Sequence, residues 1–117
     1  MENHAIVRPE HLNHHGFLFG GQLLKWVDEF AWMAASKEFH HCRMVTVGMD
    51  QVVFHEKILL GAILRFAVER DRKGRTSVTY KVVVWSDEEG ADREKEVFST
   101  RVTLVRVDEK GNKCFLP

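Results

Sequence analysis

The chain has 117 residues, and its 17 Lys and Arg residues balance its 17 Asp and Glu residues, so the formal net charge at pH 7 is zero. A neutral chain without a long basic run lacks the electrostatic surface that nucleic acids and anionic membranes attract. We therefore expect no nucleic-acid partner and no membrane insertion. Hydrophobic residues make up 44% and charged residues 29%, which at this length predicts one folded domain over residues 1–117.

Targeting and redox signals are weak. No apolar segment approaches the ~20 residues that cross a bilayer, and the first residues lack the pattern of a signal peptide. A cytoplasmic location is therefore expected. Cys42 and Cys114 lie far apart without a paired spacing, so we expect free thiols rather than a disulfide or a zinc site.

The first segments in chain order are an irregular lead and a helix. Residues 7–21 are rich in Pro, Asn, His and Gly and follow neither regular period. Residues 22–39 place apolar side chains around most of a helical circumference and leave one narrow polar edge of Lys25, Glu29 and Ser36. The pattern predicts a helix that is buried on nearly all sides.

The rest of the chain alternates with the period of a strand. Residues 44–55 form the first such run, and a change of parity near Asp50 predicts a bulge or bend there. The later strand patterns cover 63–70, 76–85 and 95–108, separated by a tight turn at 71–74 and a polar loop at 86–93, and closed by a turn at 108–112.

A helix followed by a meander of strands predicts an α+β fold in which an antiparallel sheet curls around the helix. The central strands are apolar on both faces, as Val82 and Val84 against Val83 and Trp85 illustrate. One helix can bury only one face of a sheet. We therefore expect another subunit to cover part of the outer face or an edge.

Asp28 is the strongest candidate for a catalytic group. On the predicted helix it lies off the polar edge, beside Leu24, Ala31 and Ala35. A carboxylate in apolar surroundings is costly unless it is paired, so its presence there favours a chemical role. The alternative is that Asp28 borders the polar edge and meets solvent or Lys25.

Gly20 and Gly21 directly precede the predicted helix. N–H groups at a helix start lack partners within the helix, and glycine allows close approach, so these residues are candidates for binding a carbonyl oxygen that becomes negative. A flexible start of the helix is the alternative. Gly21 and Asp28 are two turns apart, about 10 Å. If both act in one site, a two-fold axis that joins Gly21 of one subunit to Asp28 of the other is the simplest arrangement.

Asn13 and a basic turn complete the candidates. The Asn13 amide could orient a water or a carbonyl, although asparagine is also common in turns. Arg72, Lys73 and Arg75 flank a turn, where they are either solvated or able to bind phosphates. The histidines at 11–15 and 40–41 lack a carboxylate at a recognised spacing, so no metal is predicted.

Several sequence motifs of this chain resemble those of a known protein family. The motif Asn13-x-x-Gly16-x-x-Phe19-Gly20-Gly21, followed by residues 23–29 and an alanine-rich helix, closely resembles the hotdog-fold acyl-CoA thioesterases of the acyl-CoA hydrolase type. Further matches follow in family order over nearly the whole chain: Val45-Thr46-Val47 with Asp50 and Val53, Gly74-Arg75-Thr76-Ser77, and Val107-Asp108 with Gly111.

The resemblance implies hydrolysis of an acyl-CoA thioester to a free acid and CoA without a metal or organic cofactor. It implies that Asp28 is catalytic, as general base or as nucleophile, and that Asn13 comes from the partner of a homodimer whose sheets join. It also implies that three such dimers commonly assemble into a trimer of dimers. The remaining candidates are Gly21 for the oxyanion and, for substrate binding, Gly20, Arg72, Lys73, Arg75, Thr76 and Ser77.

The chain departs from the family pattern at three places. Lys57 stands where relatives usually have proline, Gly61-Ala62 where Gly-Asp is frequent, and Phe19 where many have histidine. These differences bear on substrate range and loop geometry.

Other readings of the pattern remain open. A non-catalytic acyl-CoA-binding regulatory protein would keep the pocket and lose the carboxylate, and a hotdog dehydratase would need a helix histidine that is absent between Gly21 and Phe39. A metal-binding stress protein is a third alternative, which elemental analysis would test.

Overall fold

The computed structural model describes all 117 residues. Its elements are β1 (Glu2–Ile6), a 3₁₀ turn (Pro9–His11), α1 (Gly20–Glu38), β2 (Arg43–Phe54), β3 (Ile63–Lys73), β4 (Ser77–Asp87) and β5 (Lys95–Val107). The five strands form one antiparallel sheet in the order β1-β3-β4-β5-β2. The predicted α+β fold, with one long helix packed against an antiparallel sheet, is confirmed.

The core lies between α1 and the inner face of the sheet. Helix residues at core-facing spacing are buried: Leu23, Val27, Phe30, Ala31, Ala34 and Ala35. The ring of Phe30 meets that of Phe66 on β3 edge to face, with 4.8 Å between centroids. Fully burying a Val, Leu or Phe side chain contributes roughly 1.5–3 kcal/mol, so this layer is the main source of stability.

The helix is less covered in the single chain than its pattern predicts. Trp32 and Met33 expose 48% and 36% of their surfaces, although the indole N–H of Trp32 donates to the carbonyl of Met44 on β2. The expectation of burial on nearly all sides is therefore wrong for the isolated protomer. An exposed apolar strip remains on the helix beside β2.

Strand β2 occupies one edge of the sheet and is irregular. Its register against β5 shifts between Thr46 and Gly48 and again between Asp50 and Val53, which confirms the bend predicted near Asp50. Gln51 has a φ of 53°. The exposed apolar residues of β2 are Val45, Val47, Val52, Val53 and Phe54. By contrast, Val83 and Trp85 on the outer face of β4 are half-buried, so the unpartnered apolar surface concentrates at this edge.

One local prediction is wrong, and one strand was missed. The turn predicted at 71–74 lies further on: β3 continues through Lys73, and the N–H of Gly74 closes the turn on the carbonyl of Ser77 at 2.8 Å. Strand β1 was not predicted at all, since five residues at an edge give too short a pattern. The turn at 108–112 is confirmed, and backbone N–H groups, that of Asn112 foremost, lower the pKa of the Asp108 carboxyl.

A buried phenol ties the end of α1 to the sheet. The Tyr80 hydroxyl on β4 donates to Glu38 at 2.5 Å, and Glu38 also pairs with Arg70 on β3 at 2.9 Å. Burial, with a smaller contribution from Glu38, raises the pKa of Tyr80 above its ordinary value. None of the helices combines the length and the apolar character that crossing a membrane would need.

Candidate active site

Asp28 lies half-buried at the middle of α1, against β2. Its Oδ1 atom accepts a hydrogen bond of 2.6 Å from the Thr46 hydroxyl. Strand alternation directs Thr46 to the same side as the buried Met44, towards the helix. The contact of Asp28 is therefore with a strand residue, and the alternative partner Lys25 is not the one it meets.

The helix begins at Gly20, so both glycines belong to its first turn rather than preceding it. The N–H groups of Gln22 and Leu23 both donate to the carbonyl of Phe19. Those of Gly20 and Gly21 make no hydrogen bond with the rest of the backbone. A Cβ atom at position 21 would lie 2.6 Å from the ring of Phe19. Two free donors thus point out of the helix start.

Only the oxygen of the Asn13 side-chain amide has hydrogen-bond partners within the chain. Its Oδ1 atom accepts from the backbone N–H groups of His15 at 2.9 Å and Phe17 at 3.3 Å, which fixes the orientation of the amide. The Nδ2 group makes no hydrogen bond within the chain. Asn13 can therefore donate to an incoming carbonyl or water but has little acceptor capacity left.

Asn13 and Gly20 share a cavity of about 360 Å³ between the start of α1 and the end of β2. Its other lining residues are Phe17, Leu18, Leu23, Phe54, His55, Glu56, Lys57 and Ile58. Two side-chain contacts lie at the polar rim: His55 Nε2 is 2.9 Å from a carboxylate oxygen of Glu96, and Glu56 pairs with Lys95 at 2.7 Å. Asp28 is not part of this lining. Within one protomer the structure brings Asn13 to the helix start but leaves the carboxylate elsewhere.

The turn between β3 and β4, with the cations Arg72, Lys73 and Arg75, is called the basic hairpin here. It does not line the cavity, and along the strand direction it lies at the same end of the sheet as Thr46. Thr46 pairs with Leu104, and Leu104 pairs with Val78, three residues from Arg75. Arg72, Lys73 and Arg75 are exposed and form no ion pair within the chain, whereas Thr76 and Ser77 are half-buried. The hairpin and the Asp28–Thr46 pair therefore lie towards the same end of the sheet.

Thr46 is a functional candidate that the sequence prediction left without a role. The motif Val45-Thr46-Val47 was matched, but its alternation did not reveal which residue meets the helix. The signal that could have found it is a polar residue on the core side of a predicted strand.

The histidines engage in local contacts. The ring of His14 lies 3.8 Å from that of His15, and His11 Nδ1 accepts from the backbone N–H of Arg8. No group of three or more His, Cys, Asp or Glu side chains suitable for a metal ion occurs in the structure.

An antiparallel sheet packed around one central helix, with a carboxylate on that helix and free N–H groups at its start, defines a hotdog domain. Residues 15–92 match the thioesterase superfamily, and the chain belongs to this superfamily.

Named relatives agree with this assignment. The chain is 30% identical over 113 residues to an uncharacterized acyl-CoA thioester hydrolase of Zymomonas mobilis, covering 97% of this chain and 75% of that one. It is 31% identical over 100 residues to acyl-coenzyme A thioesterase 11 of Mus musculus. That match covers 86% of this chain but only 17% of the mouse protein.

Solved structures share the fold. The hexameric hotdog fold thioesterase Cj0915 of Campylobacter jejuni is 31% identical, with a TM-score of 0.87 over 98% of this chain and 88% of that one. The acyl-CoA hydrolase of Staphylococcus aureus, solved with butyryl-CoA and CoA, is 27% identical, with a TM-score of 0.89 over 100% of this chain and 71% of that one. Alanine variants of that enzyme at an asparagine, an aspartate and a threonine have also been solved. The asparagine and aspartate are 15 positions apart, as are Asn13 and Asp28.

Proposed function

We propose that the chain hydrolyses acyl-CoA thioesters to a free carboxylic acid and CoA. The observation that carries this proposal is the Asp28 carboxylate, held by Thr46 on the central helix of a thioesterase-superfamily fold. No metal or organic cofactor takes part in the proposed reaction. A thioester carbonyl is electrophilic and a thiolate is a fair leaving group, so a base, a placed water and donors for the oxyanion suffice.

The proposed reaction assigns each step to a group. Asp28 accepts a proton from a water whose oxygen bonds to the thioester carbon. The N–H groups of Gly20 and Gly21, with the Asn13 amide, stabilise the negative oxygen of the intermediate, and one such donor is typically worth about 3 kcal/mol. The C–S bond then breaks, and the CoA thiolate leaves and takes up the proton. In the alternative, Asp28 attacks directly, and water hydrolyses the resulting anhydride.

The proposed site is shared between two protomers. Strand β2 has a free edge, with Thr46 in its first half and Phe54 at its end. Antiparallel pairing of β2 with the same strand of a second copy sets the first half of one strand against the second half of the other. This arrangement brings the Asp28–Thr46 pair of one protomer towards the cavity of its partner, where Asn13 and Gly20 lie.

We further propose that such homodimers assemble as a trimer of dimers. The support is the exposed apolar surface along β2 and α1, which single chains rarely leave uncovered, and the hexameric state of the Campylobacter relative. The expected cytoplasmic location stays a prediction, which fractionation of cells would test.

The CoA end of the substrate is assigned to the hairpin between β3 and β4, which lies towards the same end of the sheet as Thr46 with β5 in between. Its phosphates are anionic, and Arg75, followed by Arg72 and Lys73, offers cations without a partner carboxylate. Thr76 and Ser77 add hydroxyl donors at the start of β4. Because the net charge of the chain is zero, local contacts rather than long-range attraction must hold these phosphates.

A thiol-release assay with acyl-CoAs of graded chain length tests the proposal. Steady release of CoA, saturating with substrate, is the expected result. Tight acyl-CoA binding by calorimetry without release would instead favour the regulatory acyl-CoA-binding protein and refute the hydrolase.

A further inference from the structure

Phe54 is the most exposed of the apolar residues that line the cavity. It exposes 52% of its surface, whereas Leu18, Leu23 and Ile58 expose at most 6% and Phe17 is half-buried. Fully buried side chains belong to the core and cannot yield to a ligand without disturbing it. Among the lining residues, the ring of Phe54 therefore leaves the most apolar surface for contact with a bound chain.

The irregularity of β2 accounts for the position of this ring. The register shift between Asp50 and Val53, with Gln51 at a positive φ, changes which side chains face the core. After it, Phe54 meets the buried ring of Phe98 on β5 with 5.0 Å between centroids. The register shift thus turns an aromatic side chain inward at the end of the strand.

The ring also borders the helix start. Its edge lies 3.5 Å from the place that a Cβ atom on Gly20 would occupy, so it touches the first turn of α1. The free N–H groups of Gly20 and Gly21 are in that same turn. An acyl group whose carbonyl oxygen accepts from these donors therefore lies next to the ring of Phe54.

We propose that Phe54 sets the length of acyl chain that the site accepts. This inference rests on the proposed function, since it concerns the acyl part of the same substrate. The ring forms part of the wall of the cavity of about 360 Å³ next to the helix start, so chains that end before the ring fit against it and longer chains collide with it. In apolar pockets a change of one methylene typically alters kcat/KM by tenfold or more, so a whole ring is a large specificity element.

The test compares kcat/KM for acetyl-, butanoyl-, octanoyl- and hexadecanoyl-CoA in variants that change the ring in both directions. Phe54→Ala should raise the ratio of long-chain to short-chain kcat/KM by about tenfold or more, and Phe54→Trp should lower it. Phe54→Leu, which keeps an apolar side chain, serves if the alanine variant folds poorly. Phe115→Ala is the matched control, because Phe115 exposes 69% of its surface in the tail and should leave the ratio unchanged.

Folded variants of unaltered oligomeric mass that keep the original chain-length ratio would overturn the inference. A protein that releases CoA from no substrate refutes the proposed hydrolysis instead. In that case, dissociation constants of non-hydrolysable acyl-CoA thioethers of the same lengths test whether residue 54 sets the chain length. The dependence of these constants on chain length should shift with the size of residue 54. If it does not shift, the inference is wrong.

Discussion

Asp28 and Thr46 join the central helix to the edge strand through a single short hydrogen bond of 2.6 Å between the threonine hydroxyl and Oδ1. A bond of this length is at the short end of the range for hydrogen bonds between oxygen atoms in proteins. The bond occupies one carboxylate oxygen and leaves Oδ2 without a partner in the chain. The helix thus supplies the carboxylate, and the strand fixes its orientation. In the reaction proposed above, this carboxylate is the base.

Asp28→Asn should lower kcat by about a hundredfold or more, because the amide keeps the shape but cannot accept the proton of water. Folding and CoA binding should be unchanged, as circular dichroism and calorimetry would show. A variant that retains more than about a tenth of the original kcat removes Asp28 from the mechanism.

Thr46→Val should lower kcat by about ten- to a hundredfold with little change in KM, since it removes one hydrogen bond to a charged group and keeps the side-chain volume. Thr46→Ser is the matched control and should restore most of the rate. A loss of rate in Thr46→Ser without a loss in Thr46→Val would show that the methyl group, and hence packing, is what matters at this position.

Mixing inactive Asn13→Ala protein with inactive Asp28→Ala protein, after dissociation and reassembly, should restore activity. In a mixed dimer with shared sites, one of the two sites contains neither substitution. Mass spectrometry must first verify the heterodimer. No recovery in verified heterodimers would place both residues in one chain's site.

Arg75→Ala should raise KM for acyl-CoA and leave kcat nearly unchanged, because the phosphates are remote from the bond that breaks. The loss of one charged contact corresponds to about 1.5–3 kcal/mol of binding free energy. An acyl-pantetheine substrate, which lacks the nucleotide, is the control and should be unaffected. Equal losses on both substrates mean that Arg75 supports the fold.

Tyr80→Phe should destabilise the fold near neutral pH by about 1–3 kcal/mol, because it leaves Glu38 without the phenol donor. Burial raises the pKa of Tyr80, so the unfolded chain loses this proton near pH 10 while the folded chain keeps it. The contribution is fully present below about pH 10 and is lost as pH rises above it.

Urea unfolding of both proteins at about pH 8 and about pH 11 measures this difference. The free energy of unfolding should fall less between the two pH values in the variant than in the original protein. Parallel loss in both would show that Tyr80 keeps its ordinary titration.

The elements that follow from periodicity were predicted well. The long helix and the four long strands are found within a few residues of their expected limits, because each repeats its pattern over many residues. Strand β1 escaped prediction because its stability depends on pairing with β3, not on its own pattern. The β3–β4 turn was placed too early because charged residues at 71–73 continue an exposed strand end.

The candidate site was only partly predictable. Asp28, Asn13 and Gly20 could be singled out because a carboxylate off the polar edge and glycines at a helix start are local features. Thr46 could not, since its role depends on which face of β2 meets α1. The separation of Asn13 from Asp28 within one protomer likewise depends on the tertiary arrangement, and helical spacing indicated only the separation of Gly21 from Asp28.

The free edge of β2 also matters to a newly made chain. Its backbone N–H and C=O groups and its exposed valines form a ready template for any other extended segment. In a newly folded protomer, the proposed pairing of β2 with a second copy therefore competes with aggregation through the same edge. Because pairing with a second copy and aggregation are both intermolecular, the yield of native protein should depend on expression level and temperature.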